Sequence, residues 1–556
     1  MVQTGNTTNT DVLIIGGGMA GVSAAAEAVK TGQKVILVSK GSVGRSGNTP
    51  MAEGGIQATF DINDSTEDHF NDTLAAGSYI NDPSLVYTLV TEAPGCIQRL
   101  EDYGVKFKKN EDARFSQFMT SGSSHPRCLW ILGGGPGLIK HVYKKAVDLG
   151  VKVLEDVMIT KLLKCDEIVN GACGMDFKTG KFIVIKAKSV VIATGGNESI
   201  YSISDGSWDS TGDGVVLAYD TGAELIDMEF IQFYPHSLVF PESLKGVLIP
   251  EEVYYKYLIG GRLVNGCKKE FAQKYDPIRK ENTTRDILSR AIFAEISEGR
   301  CTEHEGVIID LTEVSKQSIL EYVPSLYNYL FMNGLDMLSM TMEVAPSAHY
   351  QCGGIKIDEK AQTTVKGLYA AGECTGGIDG ANRLSSNALT EAAVFGMIAG
   401  KSAAKYAQEV KNVYVDGKQA LEERFRINKM MMQNDRSRID VIEVRKEVQQ
   451  LMSKNVGVVR SGHGLKYTID KLLKIKNEEL DRIYIKNKVN IYNLEMLEFI
   501  ELCNLVENAL LVARAANYRK ESRGSHFRTD YSSEDNREWK RNIIVKKDGA
   551  NTLYIK

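Results

Sequence analysis

Three separated segments of the sequence carry side chains suited to binding a carboxylate. Arg285 lies in T-T-R-D-I-L-S-R-A-I, His349 in S-A-H-Y-Q-C-G-G, and Arg383 in G-A-N-R-L-S-S-N-A. A guanidinium binds a carboxylate through two parallel hydrogen bonds, and an imidazole adds one directed bond. Because each residue alone is more often structural, the prediction of a carboxylate site depends on the three acting together.

A glycine-rich turn near the start of the chain predicts a dinucleotide site. The apolar run 11–15 is followed by Gly16, Gly18 and Gly21 and then by the alanine-rich stretch 22–30. This order predicts a strand, a tight turn and a helix whose N-terminal N–H groups bind a pyrophosphate. The context of the motif makes it a strong signal.

Other segments indicate that the dinucleotide is large. The second predicted strand ends in Ser39-Lys40, where a simple NAD site usually has an acidic residue. Two further strand-to-glycine patterns occur at 189–196 and 367–374. Three pieces of chain around one cofactor favour FAD over a mononucleotide.

Composition excludes several classes of partner. Among 556 residues, 67 Lys and Arg face 71 Asp and Glu, so the net charge of −4 favours neither nucleic acid nor an anionic membrane. The nine cysteines are scattered without a pairing motif, which predicts no metal site and no disulfide framework. No apolar run reaches the ~20 residues that span a bilayer, and no signal-peptide pattern is present, so a cytoplasmic location is expected.

Changes in pattern along the chain predict its domains. Residues 1–228 and 346–408 form a cofactor-binding domain, and the aromatic, mixed segment 229–345 is an inserted cap. Amphipathic periodicity predicts a helical domain over 409–520, followed by a polar tail at 521–556.

The order and spacing of several motifs resemble the flavoprotein subunit of the fumarate reductase and succinate dehydrogenase family, whose relatives include L-aspartate oxidase. Beyond those already quoted, they are A-E-G-G, S-T-G-D-G, M-E-F-I-Q-F-Y-P, G-L-Y-A-A-G-E and E-S-R-G-S-H-F-R-T-D-Y. The resemblance extends over nearly the whole chain. It implies an α/β fold in which a Rossmann-like FAD-binding domain carries an inserted capping domain and a C-terminal helical domain.

The same resemblance implies catalytic roles. Arg285 resembles the arginine that protonates one alkene carbon while flavin N5 delivers hydride to the other. Because the pKa of arginine exceeds ~12, this requires a desolvated site and a proton relay, in which Glu251 is expected to take part. His349 and Arg383 resemble the pair that holds a substrate carboxylate.

The resemblance also implies the contacts of FAD. The expected residues lie in the glycine-rich turns and in the segments that face them: Gly16, Gly18, Gly21, Ser39, Lys40, Ser46, Asn48, Thr49, Gly54, Gly55, Ala193, Thr194, Gly195, Asp213, Glu373, Arg383, Ser385, Ser386 and Asn387. Ser385 to Asn387 lead a predicted helix whose N-terminus can stabilise an anionic reduced flavin.

Two departures from the family pattern matter. Family members that bind FAD covalently do so through a histidine, and the stretch 45–55 (R-S-G-N-T-P-M-A-E-G-G) has none, so dissociable FAD is predicted. At the distal end of the substrate, Tyr234, His236 and Tyr254 occupy positions where the family usually has His, Thr and Arg. The loss of a cation there predicts a less acidic or aromatic distal group, unless the alignment slips after 255 and fumarate is held by other groups. His125 is a further candidate substrate contact.

The first hypothesis is therefore an FAD-dependent reductase of an α,β-unsaturated carboxylate. Its substrate would be fumarate or a similar 2-enoate, and it would receive electrons from an iron–sulfur subunit, in the cytoplasm or at the inner face of the membrane through its partners. The alternatives are an oxidase of the L-aspartate type, the succinate dehydrogenase direction, and a scaffold subunit without turnover. Retained Arg285 argues against the scaffold.

Overall fold

The computed structural model describes residues 6–52, 55–254, 259–432, 439–548 and 552–555. Its largest sheet has seven strands. Six of them follow one another in the order Lys152–Leu154, Val35–Val38, Asn6–Ile15, Lys181–Ile192, Ile168–Asp176, Val157–Cys165. The seventh, Leu368–Ala370, pairs with Lys181–Ile192. Pairing is parallel around Asn6–Ile15 and antiparallel among the last three strands. Val12, Leu13 and Ile14 have no exposed surface, as expected for a strand covered on both faces.

Two helices packed against each other cover this sheet. Met19–Val29 follows the first strand, and Asn387–Glu409 crosses it closely. A Cβ added to Gly396 or Gly400 would lie only 2.5 or 2.2 Å from the carbonyl oxygens of Ala20 and Ala24. These glycines are therefore needed for the two helix backbones to approach. Further helices on this part of the chain are Thr66–Ala76, Pro83–Asp102, Gly134–Asp148 and Asp213–Asp220.

The inserted segment has a second hydrophobic core. Its sheet runs Ile231–Phe240, Met342–Gln351, Val307–Asp310, Arg262–Val264, and its helices are Arg285–Ser297, Lys316–Tyr322 and Pro324–Met332. The two long antiparallel strands connect this cap to the rest of the molecule, with Tyr234 opposite Ser347. They bring the segments of Tyr234 and His349 side by side.

Four long helices form the C-terminal region: Gly417–Met432, Val441–Asn455, Gly462–Lys474 and Leu494–Tyr518. The tail beyond them, predicted only as polar, adds strands Ile544–Asp548 and Thr552–Ile555 to the small sheet of Leu225–Ile226, Gly354–Lys356 and Thr375–Gly376. A second small sheet joins Ile56–Gln57, Cys128–Leu129 and Gln117–Phe118. The predicted α/β class with a cap and a helical region is confirmed.

Buried charges tie the tail to the rest of the protein. Arg519 Nε lies 2.6 Å from Glu229 Oε1, and Arg519 Nη1 lies 3.0 Å from Glu521 Oε1. Arg523 also pairs with Glu521, and all of these side chains are buried. The E-S-R-G-S-H-F-R-T-D-Y motif is therefore a packing segment. Within the described ranges, no helix combines the length and the low charge that crossing a bilayer requires.

Candidate active site

Arg285 is held at the start of a helix by contacts from two other segments. It is the first residue of Arg285–Ser297. Its Nε donates to Glu251 Oε1 at 2.8 Å, and its Nη2 lies 3.5 Å from Ser385 Oγ. Its guanidinium carbon lies 4.8 Å from the ring centre of Tyr234. The stacking and the Glu251 hydrogen bond fix the guanidinium plane, and 19% of the side chain is exposed.

His349 and Arg383 contact each other directly. His349 Nε2 lies 2.9 Å from Arg383 Nη2, and His349 Nδ1 lies 3.0 Å from Asp205 Oδ1. Since a guanidinium can only donate and a carboxylate can only accept, Nδ1 carries the proton and Nε2 accepts from Arg383. Asp205 is itself fixed by a 2.7 Å hydrogen bond from Ser347 Oγ. These contacts hold the His349 ring in one orientation, with Nδ1 towards Asp205 and Nε2 towards Arg383.

Arg383 is a buried cation without a carboxylate partner among the described residues. It is 6% exposed and donates to neutral acceptors, Gln232 Oε1 at 3.1 Å and the carbonyl of Leu384 at 3.3 Å. Its Nε has no hydrogen-bond partner. A buried charge left in this state is costly unless an anion binds to it. The arrangement is therefore suited to receive a carboxylate.

Other contacts hold Arg383 in place and keep its charge available. Its guanidinium carbon lies 4.6 Å from the ring centre of Tyr350, whose hydroxyl donates to Glu391 Oε2 at 2.9 Å. Burial raises the pKa of Asp379 to about 6 and raises that of Glu391 well above its usual range. Burial thus disfavours ionisation of Glu391, whereas Asp379, with a pKa of about 6, is mostly ionised at neutral pH and attracts Arg383 without hydrogen-bonding to it among the described residues.

The three residues predicted to act together form one cluster. Tyr234 is stacked by Arg285 and lies 5.4 Å from His349 between ring centres. Ser385, two residues after Arg383, contacts Arg285. A carboxylate bound at Arg383 and His349 would therefore lie close to the Arg285 guanidinium.

Among the described residues, the other end of the cluster is aromatic and uncharged. His236 has no exposed surface, and neither of its ring nitrogens has a hydrogen-bond partner. Its ring lies 4.9 Å from Tyr254 and 5.7 Å from Tyr234. Burial lowers the pKa of His236 to about 3, so the imidazole is neutral at physiological pH. It can form hydrogen bonds here but supplies no positive charge.

His125 lies outside this cluster by its contacts. Its Nε2 is 3.8 Å from Asp68 Oδ2, and it is about one-third exposed. Its loop approaches the site through Gln57, whose Nε2 donates to Thr120 Oγ1 at 2.9 Å, to Ser123 Oγ at 3.1 Å and to the Ser385 carbonyl at 2.5 Å. A substrate contact for His125 stays a prediction.

The glycine-rich turn has the shape that a pyrophosphate requires. A Cβ on Gly16 would lie 1.9 Å from the carbonyl oxygen of Ala193, and one on Gly21 would lie 1.9 Å from that of Gly16. At Gly18 the nearest atom would be Thr49 Oγ1 at 3.5 Å, which leaves open space at the helix N-terminus. The Thr49 hydroxyl also accepts from the Met19 N–H at 3.1 Å. An anionic dinucleotide such as FAD fits this turn.

Lys40 and Asp213 contact each other. Lys40 Nζ donates to Asp213 Oδ2 at 2.9 Å, to Glu501 Oε1 at 2.8 Å and to Thr211 Oγ1 at 2.6 Å. Burial opposes ionisation, but Asp213 and Glu501 outweigh it and raise the pKa of Lys40 above its usual value. Asp213 Oδ1 accepts from Asn504 Nδ2 at 2.8 Å. Lys40 therefore fixes Asp213 beside Ser39, which is buried at the end of the second strand.

The remaining predicted cofactor residues surround the same region. Asn48 Nδ2 donates to Glu373 Oε2 at 3.1 Å, and Gly214 N donates to Thr194 Oγ1 at 3.2 Å. Ser386, at a φ of 65°, precedes the helix that Asn387 begins. The others lie on turns at or near these residues: Ser46, bonded to the Ser42 carbonyl; Gly55, packed on Leu129; and Gly195, at a φ of 76°. Gly54 lies outside the described residues.

Several residues of the site were not predicted from the sequence. Gln232 lies inside a quoted motif and donates to Asn382 Oδ1 at 2.7 Å and to the Arg383 carbonyl at 2.9 Å. Asp205 has no motif that would identify it. Glu198 lies two residues after the A-T-G-G turn and is fully buried, and only the structure reveals this burial.

Comparisons with known proteins agree over nearly the full length. Residues 11–389 match the family model of an FAD binding domain, and residues 445–556 match that of the fumarate reductase flavoprotein C-terminus. A CoM/CoB fumarate reductase polypeptide of Methanothermobacter marburgensis is 39% identical over 96% of both chains. "L-aspartate oxidase" of Yersinia pestis is 31% identical, covering 94% of this chain and 96% of its own. The structure of Mycobacterium smegmatis Sdh1 in complex with UQ1 has a TM-score of 0.91 at 32% identity, covering 99% of this chain and 94% of its own.

Proposed function

Because this chain belongs to the fumarate reductase and succinate dehydrogenase flavoprotein family, which includes L-aspartate oxidase, we propose that it reduces the double bond of an α,β-unsaturated carboxylate. The family resemblance and the FAD cofactor predicted from the sequence are confirmed, and the chain is an FAD-dependent oxidoreductase. The main support for the proposed reaction is Arg383, a buried cation that lacks a carboxylate partner among the described residues and lies beside His349.

The first role is to anchor the substrate. Arg383 would bind the carboxylate that is conjugated to the double bond, and His349 would orient the Arg383 guanidinium by accepting a hydrogen bond from its Nη2. When the β-carbon is attacked, negative charge develops on the α-carbon and is delocalised into this carboxylate, so the fixed cation is worth more in the transition state than in the ground state. Because Asp205 and Gln232 already orient both side chains, little reorganisation is needed at that moment.

The second role is to supply a proton. Reduced FAD, when bound, is the source of hydride. The proton for the other carbon would come from the Arg285 guanidinium, and Glu251, hydrogen-bonded to Nε, would direct its replacement. Arg285 can serve as an acid only where water is excluded, and its 19% side-chain exposure is consistent with that requirement.

The uncharged distal end defines the substrate class. His236, Tyr254 and Tyr234 offer neutral donors and aromatic faces but no cation. The second carboxylate of fumarate would have to be buried against neutral donors alone, which costs free energy. An enoate with a neutral or aromatic distal group would bind without this cost, so we expect it to be the better substrate.

A panel of enoates tests this proposal. The purified flavoprotein is reduced anaerobically with dithionite, and flavin reoxidation is followed by absorbance for fumarate, its monomethyl ester and an aryl acrylate. We expect at least one 2-enoate to reoxidise the flavin, with the uncharged distal groups at least as fast as fumarate. Saturated analogues are the control, and failure of every enoate would contradict the proposed reaction.

The related L-aspartate oxidase motivates a second candidate, oxidation of L-aspartate. In the same anaerobic cuvette, L-aspartate added to the oxidised protein would bleach the flavin if that were the reaction. We expect no bleaching.

In the proposed reductase, electrons are delivered by a separate iron–sulfur protein, since the sequence lacks cysteine motifs for a cluster of its own.

Dissociable FAD is a separate expectation. The stretch 45–55, which corresponds to the segment that carries the covalent histidine in other family members, contains no histidine that could form the bond. Acid precipitation is expected to release all of the flavin into the supernatant, where its absorbance and fluorescence are measured. Flavin that stays with the pellet after washing in denaturant would contradict non-covalent binding.

A further inference from the structure

A fully buried carboxyl group lies next to the cofactor-binding turn. Glu198 begins the short 3-10 helix Glu198–Ile200 and has no exposed surface. Neither of its carboxyl oxygens has a hydrogen-bond partner, and among the described residues it forms no ion pair. An ionised carboxylate is not stable in such surroundings.

The polar group that approaches Glu198 is a second carboxyl. A Cβ placed on Gly196 would lie 2.1 Å from Glu198 Oε1 and 2.8 Å from Glu373 Oε1, so both oxygens converge on one point. Glu373 is partly exposed and accepts from Asn48 Nδ2 at 3.1 Å. Two carboxylates can only repel each other, but one protonated and one ionised group form a strong hydrogen bond.

The surroundings favour the protonated form of Glu198. Burial raises the pKa of Glu198 well above its usual range, and the charge of Glu373 is the second largest cause. The Ser210 hydroxyl has a smaller effect and lowers this pKa. The other titratable neighbour is Tyr201, whose pKa burial raises to about 12, so it is neutral. The positive charge of Arg460 acts on Tyr201.

We propose that Glu198 is protonated in the FAD-loaded enzyme and donates its proton as a hydrogen bond to Glu373, so that it positions Glu373 for the cofactor. The inference rests on FAD binding and on the proposed cofactor contact of Glu373, and it does not depend on which enoate is the substrate. Glu198 is therefore a positioning residue, because it contacts Glu373 and acts on the cofactor through Glu373.

The proposal predicts that FAD binding depends on pH through this pair. Below the raised pKa of Glu198 the two groups share one negative charge. As pH rises through that pKa, a second charge appears in a buried place beside an anionic dinucleotide, so the affinity for FAD falls. The folded state holds this proton while the unfolded state has lost it above about pH 4.3, so the free energy of unfolding also falls with rising pH.

The experiment measures FAD release from diluted holoenzyme as the recovery of free-flavin fluorescence, from pH 6 to pH 9. We expect the dissociation constant of the wild type to rise at least tenfold over this range. Glu198→Gln is permanently neutral and still has a donor for Glu373, so it should match the wild type within twofold at pH 6 and stay flat to pH 9. Glu224→Gln, which removes a surface carboxylate paired with Lys356 at 3.1 Å, is the matched control and should keep the wild-type slope.

Three results would overturn the proposal: a wild type without pH dependence, a Glu198→Gln variant with the wild-type slope, or one that binds FAD more weakly by the same factor at every pH. If Glu198→Gln does not fold, Glu373→Gln provides the second test: it removes the negative charge that helps to raise the pKa of Glu198, so the fall in FAD affinity should begin at a lower pH than in the wild type. Because release is followed without substrate, a failure of the enoate assay would leave this measurement intact.

Discussion

Arg285→Lys is expected to lower the rate of enoate reduction by about 10³-fold or more, with FAD content unchanged. Lysine keeps the positive charge, but its donors all lie on one nitrogen. This single nitrogen cannot bind Glu251, contact Ser385 and still present a proton to the substrate, as the separate nitrogens of a guanidinium can. Removing a positioned general acid costs about 10²- to 10⁴-fold. The measurement is single-turnover reoxidation of the dithionite-reduced flavin by the best enoate of the panel.

Arg290 provides a matched control for this variant. It lies on the same helix and pairs with Asp286 at 3.0 Å, and its guanidinium carbon lies 5.2 Å from the ring centre of Phe527, so none of its given contacts is with Glu251, Ser385 or Tyr234. Arg290→Lys should therefore stay within about twofold of the wild type, as expected for a surface ion pair. An Arg285→Lys variant as fast as Arg290→Lys would exclude Arg285 as the proton donor.

Arg383→Gln is expected to lower kcat/KM by about 10²- to 10⁴-fold. The substrate carboxylate would lose its buried cationic partner, and leaving such a charge unpaired costs about 3–5 kcal/mol. The kcat/KM of Arg383→Lys should lie between those of the wild type and Arg383→Gln. Lysine keeps the charge but lacks the second hydrogen-bonding nitrogen, which also contacts His349. The assay is the same, with substrate concentration varied so that kcat and KM are obtained separately.

A binding measurement separates the anchoring role of Arg383 from damage to the flavin site. A saturated carboxylate such as succinate should perturb the flavin spectrum of the wild-type enzyme, and the perturbation should be lost in Arg383→Gln while FAD stays bound. Arg300→Gln serves as the control, since Arg300 pairs with Glu295 in the cap. Equal succinate binding by Arg383→Gln and the wild type would contradict the proposed anchor.

Local patterns predicted the parts of the fold that depend on short stretches of sequence. The pattern of Gly16, Gly18 and Gly21 predicts places where the backbone needs a residue without a side chain. The structure has such close approaches at Gly16 and Gly21. The grouping of Arg285, His349 and Arg383 was predictable only through the family motifs, because residues so far apart in sequence give no signal of their spatial contact.

What could not be predicted depends on burial and on long-range pairing. Asp205 sets the tautomer of His349 from an unremarkable loop position, and His236 is uncharged only because the cap encloses it. Lys40 was expected to contact the cofactor, but its three hydrogen bonds with protein groups fix Asp213 as well. A single sequence does not contain this information, since each effect arises from neighbours far away along the chain.

The position of the last strand has a consequence for how the protein is made. Asp227 accepts hydrogen bonds from Asn542 Nδ2 at 2.6 Å and from the Ile543 N–H at 2.8 Å, and Glu229 pairs with Arg519. These two acids immediately precede the strand Ile231–Phe240 that carries Tyr234 and His236. Until residues 519–543 leave the ribosome, both acids lack these partners. The catalytic centre is therefore completed only once this segment has been made, and its removal would impair maturation.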